Sequence, residues 1–215
     1  GRDFENYDDY PAGGLGKIPF RTALANSCNT AFIAERRRLE DGDLADAAAS
    51  LGLGVDHDLG FPAYFGSVEP PSTETGRAAD MIGQGTVLAS PMAMATVIAS
   101  IQQGDLVVPR LVEQIDVSPP DAVTPVSSAE ARQLRSLLRG VVTDGSGRLL
   151  ADVPGPDVIA KTGTAEYAAD DGTTRTHAWM IAAQGDLAVA VFVQDGSSGS
   201  GTAGPILEEF LRAAG

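Results

Sequence analysis

Two stretches in the last third of the chain decide the fold class: DVIAKTGT at residues 157–164 and HAWMIAAQGDLAVAVFVQ at residues 177–194. Their patterns predict three strands, at Asp157–Thr164, His177–Ala183 and Leu187–Gln194. The second and third strands would form a hairpin. Leu187–Val193 is apolar at every position, which predicts a strand buried on both faces of a sheet. A helix over Pro205–Ala213 would cover that sheet.

The sequence before these strands is mainly helical in pattern. Helices are predicted at Pro19–Asn26, Thr30–Leu39, Asp43–Leu51, from Ser90 to about Gln103, and from Ser127 or Ser128 onward. The last of these has the clearest period, because apolar residues recur at helical spacing from Leu134 to Val142. Residues 57–77 are predicted to form an ordered loop, and residues 106–117 extended chain. Helices first and antiparallel strands last indicate an α+β fold.

The composition and charge of the chain argue against some classes of binding partner. The chain has 215 residues and a net charge of −14, and 43% of its residues are hydrophobic. This suits one domain or most of a larger one. Such an acidic chain argues against nucleic acid or anionic lipid as a partner. The longest apolar run is far shorter than the roughly 20 residues that cross a bilayer, so an anchor or export signal is expected outside this chain.

Cofactor chemistry has little support in the sequence. Cys28 is the only cysteine, and His57 and His177 are the only histidines, so neither an internal disulfide nor a zinc-ligand spacing is present. No glycine loop ends in the Gly-Lys-Ser/Thr that binds phosphate. We therefore expect no cofactor.

Lys161-Thr162-Gly163-Thr164 is the strongest candidate site. A lysine on an apolar strand is costly to bury unless it has a partner or a function. The threonine hydroxyls could bind a carboxylate, and Gly163 leaves room for another backbone. Lys-Thr-Gly is also a common tripeptide, and it describes a strand that ends at a turn equally well.

Ser27-Cys28-Asn29 is the second candidate, between two predicted helices. Serine and asparagine two residues apart could direct their side chains into one cleft. The same residue types favour helix caps for reasons unrelated to catalysis, so a cap is the alternative interpretation.

The order of the two motifs resembles that of penicillin-interacting serine enzymes: Ser-x-Asn is followed, well over a hundred residues later, by Lys-Thr-Gly on a strand. From about Asn6 to Phe210 the sequence resembles class B penicillin-binding proteins. The segments that carry this resemblance are Phe20–Phe32, Ile82–Gly85, Ser90–Pro91, Met94–Ala95, Gly145–Gly147, Lys161–Glu166 and His177–Trp179.

The resemblance implies a β-lactamase/transpeptidase-like fold, an antiparallel sheet with helices on both faces, of which residues 1–215 would be the C-terminal part of one domain. It implies a peptidoglycan D,D-transpeptidase that is acylated by β-lactams. Ser27 would pass a proton toward the leaving nitrogen beside Lys161, and Asn29 would hold a substrate amide. The Thr162-Gly163-Thr164 segment would bind the substrate: its two threonines would hold the terminal carboxylate, and the Thr164 amide would belong to the oxyanion hole.

The family's first motif, Ser-x-x-Lys, is absent. The chain has two lysines; three residues before Lys17 is Gly14, and three residues before Lys161 is Val158. We expect the nucleophilic serine, its helix and the family's first two strands upstream of Gly1. Without those strands, the strand at Leu187–Gln194 would have an open edge in this chain. Without the serine, the chain would be inactive by itself.

Several alternatives stay open at this point. The chain could belong to a penicillin-sensing or non-catalytic binding module, a serine β-lactamase, a bifunctional class A penicillin-binding protein, or an unrelated α+β domain. The implied partners are peptidoglycan stem peptides, β-lactams, the missing N-terminal part of the domain and a cell-wall synthesis complex. The implied location is the extracytoplasmic face of a bacterial plasma membrane, with the anchor outside this chain.

Overall fold

The computed structural model describes residues 3–7, 10–120 and 122–214. Its α-helices are α1 (Phe20–Ala25), α2 (Asn29–Glu35), α3 (Asp43–Ala49), α4 (Glu74–Asp80), α5 (Pro91–Gln103), α6 (Ser128–Asp144) and α7 (Gly204–Ala214). Its strands are β1 (Ser67–Val68), β2 (Val87–Leu88), β3 (Ile159–Ala168), β4 (Thr174–Gln184) and β5 (Leu187–Val193). Tighter 3₁₀ turns lie at Ala12–Gly14, Arg36–Arg38 and Arg148–Leu150, and a π-helical turn lies at Gly199–Ala203. The predicted order of helices and strands is confirmed.

The chain forms two compact units. The first contains Gly1–Ala34 and Arg135–Gly215, and the second contains Glu35–Leu134. Both Lys161 and Ser27 belong to the first unit. The assignment of residues 1–215 to a single transpeptidase domain stays a prediction.

The first unit is built on the sheet of β3, β4 and β5, in that order and antiparallel throughout. β3 and β4 pair over ten residue positions, with Lys161 opposite Ile181 and Gly163 opposite Trp179. Both strands extend beyond their predicted bounds, which included neither the C-terminal end of β3 nor the start of β4. Backbone pairing between the two strands is continuous, so the hairpin extends beyond the apolar segments from which the strands were predicted.

One face of this sheet packs on α7. Leu207 and Leu211 lie one helical turn apart and are fully buried, as expected of the inner face of an amphipathic helix. Burying each leucine side chain contributes about 1.5–3 kcal/mol. Together with the sheet they form a core of buried residues: Val142, Leu150, Val153, Val158, Ala160, Ala178, Met180, Ala182, Ala203, Leu207 and Leu211. The predicted covering of the sheet by the last helix is confirmed.

The predicted burial of Leu187–Val193 on both faces is wrong. β5 lies at the edge of its sheet, and within the described ranges no strand pairs with its outer side. Leu187 and Phe192 are 36% and 37% exposed. An apolar sequence shows that both faces of a strand can be buried. Whether they are buried depends on the elements that pack against the strand. The open edge that the family resemblance implied is present.

The second unit is organised by α5. Ser90 caps this helix by accepting a hydrogen bond from the Ala93 N–H at 3.1 Å, and Pro91 occupies its first position. Gly104 ends it in a left-handed conformation, with φ of 85°. The loop predicted over residues 57–77 also contains β1 and the start of α4, while residues 106–117 form no strand. None of the described helices combines the length and apolar character that a membrane span requires.

Candidate active site

Ser27 occupies the turn that ends α1. Its N–H donates to the Leu24 carbonyl at 3.1 Å, and the Cys28 N–H donates to the Ala23 carbonyl at 2.8 Å. This pair of bonds is a Schellman motif, in which the residue at the Ser27 position is usually glycine. Ser27 has φ of 54°, and no other described non-glycine residue has a positive φ.

The left-handed backbone of Ser27 is costly for any residue with a Cβ. Ser27 lies two residues before α2, one position ahead of the cap, and its hydroxyl accepts a hydrogen bond from Lys161. The cap interpretation of the Ser-x-Asn motif therefore does not describe Ser27. The serine has a contact that glycine, the residue favoured by this backbone, could not make.

Lys161 joins the two motifs. It lies on β3, at the other edge of the sheet from β5, and its Nζ donates to the Ser27 hydroxyl and to the Thr162 carbonyl, the latter at 2.9 Å. Ser27 and Lys161 are 134 positions apart in sequence. The structure thus brings the hydroxyl of the first motif and the ammonium of the second into direct contact.

Burial lowers the pKa of Lys161 from 10.5 to about 8. At this pKa the amine exchanges protons readily near neutral pH, and an adjacent hydroxyl can share in the exchange. No ion pair joins Lys161 to a carboxylate among the residues that the structure describes. Its positive charge is therefore available to an anionic ligand.

The hydroxyls of Thr162 and Thr164 each have an internal partner. Thr162 Oγ1 lies 2.7 Å from Ser146 Oγ, and either oxygen can be the donor. Thr164 Oγ1 accepts from the Gly199 N–H at 3.1 Å, so its own O–H remains able to donate. Both threonines are partly exposed. Beside Lys161, these hydroxyls suit the binding of a carboxylate.

The backbone of Gly163 is closely approached by that of Gly199. A Cβ on Gly199 would fall 2.6 Å from the Gly163 oxygen and 2.5 Å from the Trp179 oxygen, so the π-helical turn rests directly on the two strands. A Cβ on Gly163 itself would fall 3.1 Å from the Trp179 Cβ. Gly199 thus brings another backbone close to Gly163, while the predicted room there for a substrate backbone stays a prediction.

Asn29 is held by the N-terminal segment. Its Nδ2 donates to the Glu5 carbonyl at 3.0 Å, and the neighbouring Thr30 N–H donates to Asn6 Oδ1 at 3.1 Å. Across the described part of the chain, no hydrogen bond joins Asn29 to Lys161 or to the threonines. The predicted contact of Asn29 with a substrate amide stays a prediction.

Sequence reasoning gave no role to two groups that shape this site. Ser146 contacts Thr162 through its side chain, and its N–H donates to the Ala25 carbonyl at 3.0 Å. Gly199 contacts Gly163 and Thr164. The available signals were the family resemblance at Gly145–Gly147 and small residues, Gly-Ser-Gly after α6 and again before α7. Small residues also mark ordinary turns, and the resemblance gave Ser146 no contact.

This arrangement has the groups for proton transfer and anion binding. Ser27 and Lys161 can pass a proton, while the ammonium and the two threonine hydroxyls can hold a carboxylate. The Ser-x-x-Lys motif of penicillin-interacting serine enzymes is not among these groups, because neither lysine of the chain has a serine three residues before it.

A family model described as "Penicillin binding protein transpeptidase domain" matches residues 1–212. The peptidoglycan D,D-transpeptidase PbpA of Mycobacterium tuberculosis is 30% identical over 230 residues, which cover 98% of this chain and 46% of that relative. The chain therefore spans about half the length of the curated relatives that it matches.

Solved structures are similar over nearly the whole chain. The penicillin G acyl-enzyme complex of penicillin-binding protein A from M. tuberculosis has a TM-score of 0.77 and 29% identity, covering 98% of this chain and 52% of that one. A structure on the coordination of polymerization and crosslinking by a peptidoglycan synthase complex has a TM-score of 0.73 and 25% identity. The match covers 93% of this chain and 37% of that one. The α+β fold with an antiparallel sheet is confirmed.

Proposed function

This chain belongs to the penicillin-binding protein transpeptidase domain family, and from that premise we propose that it forms the Ser27 and Lys161 side of a peptidoglycan D,D-transpeptidase active site. The observation that carries the proposal is the hydrogen bond between these two side chains. It places a hydroxyl beside an amine of lowered pKa, as proton transfer to a leaving amine requires.

The proposed reaction proceeds through an acyl-enzyme. A serine gives its hydroxyl proton to a base, its oxygen attacks the carbonyl carbon of the first of two D-alanines, and the peptide C–N bond breaks. The terminal D-alanine leaves as an amine after taking up one proton. An amine of a second stem peptide then attacks the ester, forms the cross-link and frees the serine. A β-lactam follows the first step through its ring amide.

Ser27 is the proposed donor of the proton that the leaving nitrogen takes up. Its hydroxyl would take up a replacement proton from the Lys161 ammonium. A pKa of Lys161 near 8, lowered by burial, supports this exchange because the donor and acceptor forms of the amine are then both populated near neutral pH. An ordinary surface lysine would remain almost wholly protonated.

The terminal carboxylate of the donor peptide would bind at Lys161, Thr162 and Thr164. A charged ammonium and neutral hydroxyls form stronger hydrogen bonds to a carboxylate than to a neutral group. In a chain of net charge −14, this one ammonium gives an anion a local attraction that the whole chain does not. Asn29 would hold an amide of the same peptide.

The edge position of β3 supports binding of an extended peptide. Edge strands present unpaired backbone groups, and a peptide can add to them as a further strand. Gly163 keeps that edge free of a side chain. The Thr164 N–H would act there as one donor to the oxyanion of the tetrahedral intermediate.

The nucleophile is proposed to lie on sequence upstream of Gly1, because the chain contains no Ser-x-x-Lys. Membership in a cell-wall synthesis complex is also proposed, supported by the similarity to a chain from a peptidoglycan synthase complex. A location at the extracytoplasmic face of the bacterial plasma membrane follows from the proposed substrate, which is assembled there.

Mass spectrometry after incubation with a fluorescent penicillin tests the function. The protein with its upstream sequence should carry one covalent adduct on a serine outside residues 1–215, and residues 1–215 alone should carry none. Lys161→Met should slow acylation by roughly 10²–10⁴-fold. Lys17→Met, which removes the exposed lysine, is the matched control and should leave the rate unchanged.

Two results would contradict the proposal. One is an adduct within residues 1–215, on Ser27 for example, because Ser27 would then be the nucleophile. The other is normal acylation of Lys161→Met. Rapid nitrocefin turnover by the intact protein would instead assign it to the β-lactamases.

A further inference from the structure

The turn at Gly145–Gly147 contacts both motif-bearing elements of the first unit. The Ser146 N–H donates to the Ala25 carbonyl, two residues before Ser27, and the Ser146 hydroxyl lies against Thr162, the residue after Lys161. Ser146 therefore links the helix end that carries Ser27 to the strand that carries Lys161.

The position of this turn leaves little freedom. A Cβ on Gly145 would fall 2.0 Å from the Ala25 oxygen, so the two backbones are in direct contact. The N–H groups of Gly145 and Gly147 both donate to the Val141 carbonyl, at 3.2 and 2.9 Å. The contacts of Gly145 and Gly147 thus fix the backbone of Ser146 on both sides, and this backbone position directs its hydroxyl at Thr162.

The hydroxyl pair can exist in two hydrogen-bond directions. Either Thr162 donates to Ser146, or Ser146 donates to Thr162 and leaves the Thr162 proton free. The Thr162 carbonyl already accepts from Lys161, so the hydroxyl is the side-chain group through which Thr162 can meet a ligand. A carboxylate can bind that hydroxyl only in the second direction, because it accepts protons and cannot donate one.

We propose that Ser146 is a positioning residue that fixes the Thr162 hydroxyl as a donor to the ligand carboxylate. By donating to Thr162 Oγ1, Ser146 directs the Thr162 proton outward and strengthens its bond to the anion, since hydrogen bonds in a chain polarise one another. This inference rests on the proposed function and adds a residue to its carboxylate site. Ser146 acts through Thr162 and does not touch the reacting atoms.

Acylation rates with two ligands test this role in the protein with its upstream sequence. Benzylpenicillin has the carboxylate, and its methyl ester lacks the charge. Ser146→Ala should slow acylation by benzylpenicillin about tenfold and by the ester about twofold at most. Ser146→Thr, which keeps the hydroxyl, should restore both rates. Ser136→Ala, at an exposed serine of α6, is the matched control and should change neither.

A merely structural role would slow both ligands equally, and that result would overturn the inference, as would unchanged rates in Ser146→Ala. Thermal unfolding shows whether each variant is folded. If Ser146→Ala unfolds, Ser146→Cys, which keeps a weaker donor, is measured in its place and should again affect benzylpenicillin more than the ester.

A separate measurement distinguishes failure of this inference from failure of the proposed function. If neither ligand acylates the wild-type protein, the proposed function is wrong. Reversible binding of N-acetyl-D-alanine, followed by the ¹⁵N NMR signal of Thr162, then tests Ser146 alone. About tenfold weaker binding in Ser146→Ala supports the inference, and equal binding overturns it.

Discussion

At the scale of single residues, Ser27 combines an unfavourable backbone with a favourable side-chain contact. A left-handed conformation costs a residue with a Cβ roughly 1–2 kcal/mol, and glycine is the residue that avoids this cost. Ser27 has φ of 54° and donates its backbone N–H within the turn, while its hydroxyl meets Lys161. The backbone alone would favour glycine here, whereas the hydrogen bond from Lys161 to the Ser27 hydroxyl favours serine.

Two substitutions at Ser27 measure that cost. Ser27→Gly and Ser27→Ala both remove the hydroxyl and its contact with Lys161, so their difference reports the backbone. Ser27→Gly should be more stable than Ser27→Ala by about 1 kcal/mol in free energy of unfolding, measured by chemical denaturation.

The same pair of substitutions at Ser136 is the control. Ser136 is exposed in the interior of α6, where alanine should be more stable than glycine, by about 1 kcal/mol. Opposite signs at the two positions are expected. Equal signs would mean that the turn at Ser27 is not strained.

At the scale of elements, two glycines, one inside α6 and one just after it, have different surroundings. Gly140 lies within the helix and a Cβ there would meet nothing within 4 Å, whereas a Cβ on Gly145, just after the helix, would meet the Ala25 backbone. A glycine inside a helix costs conformational entropy. Gly145 allows the contact that brings Ser146 to Thr162.

Alanine substitutions at the two glycines should therefore have opposite effects. Gly140→Ala should raise the free energy of unfolding by about 0.5–1 kcal/mol. Gly145→Ala should lower it by roughly 1–3 kcal/mol, because the backbones must separate. Thermal or chemical denaturation checks both. A neutral Gly145→Ala would show that this turn is free to shift.

At the scale of the whole molecule, Lys161 links folding to pH. Because burial lowers its pKa to about 8 in the folded chain, the unfolded chain binds more protons between pH 8 and about 10.5. Stability should therefore rise with pH across this window. The buried ammonium destabilises the fold below pH 8, and that cost is relieved as the amine loses its proton.

The difference between wild type and Lys161→Met isolates this effect. From pH 7 to pH 10, the free energy of unfolding of the wild type should gain on the order of 2 kcal/mol relative to the variant. Measurements should stop at pH 10, because burial also raises the pKa of Tyr10 to about 12 and its effect has the opposite sign. Lys17→Met should retain the wild-type slope. A wild-type curve parallel to that of Lys161→Met would contradict the lowered pKa.

The sequence by itself predicted the main helices, the three long strands and the two candidate motifs of the site. Capping residues, helical spacing and apolar strands act over a few positions, so Ser90-Pro91, the leucines of α6 and the Lys-Thr-Gly strand predicted their elements well. Local pattern could not show that Leu187–Val193 is an edge strand, since burial depends on neighbours.

Only the tertiary structure decided which groups meet. The Ser27–Lys161 contact joins positions 134 residues apart and was implied by the family resemblance, not by any local pattern. Ser146 meets Thr162 through a turn to which the resemblance gave no contact. The left-handed Ser27 and the approach of Gly199 to Gly163 are likewise products of packing. Hydrogen bonds between distant side chains exist only once the chain has folded, so no local spacing records them.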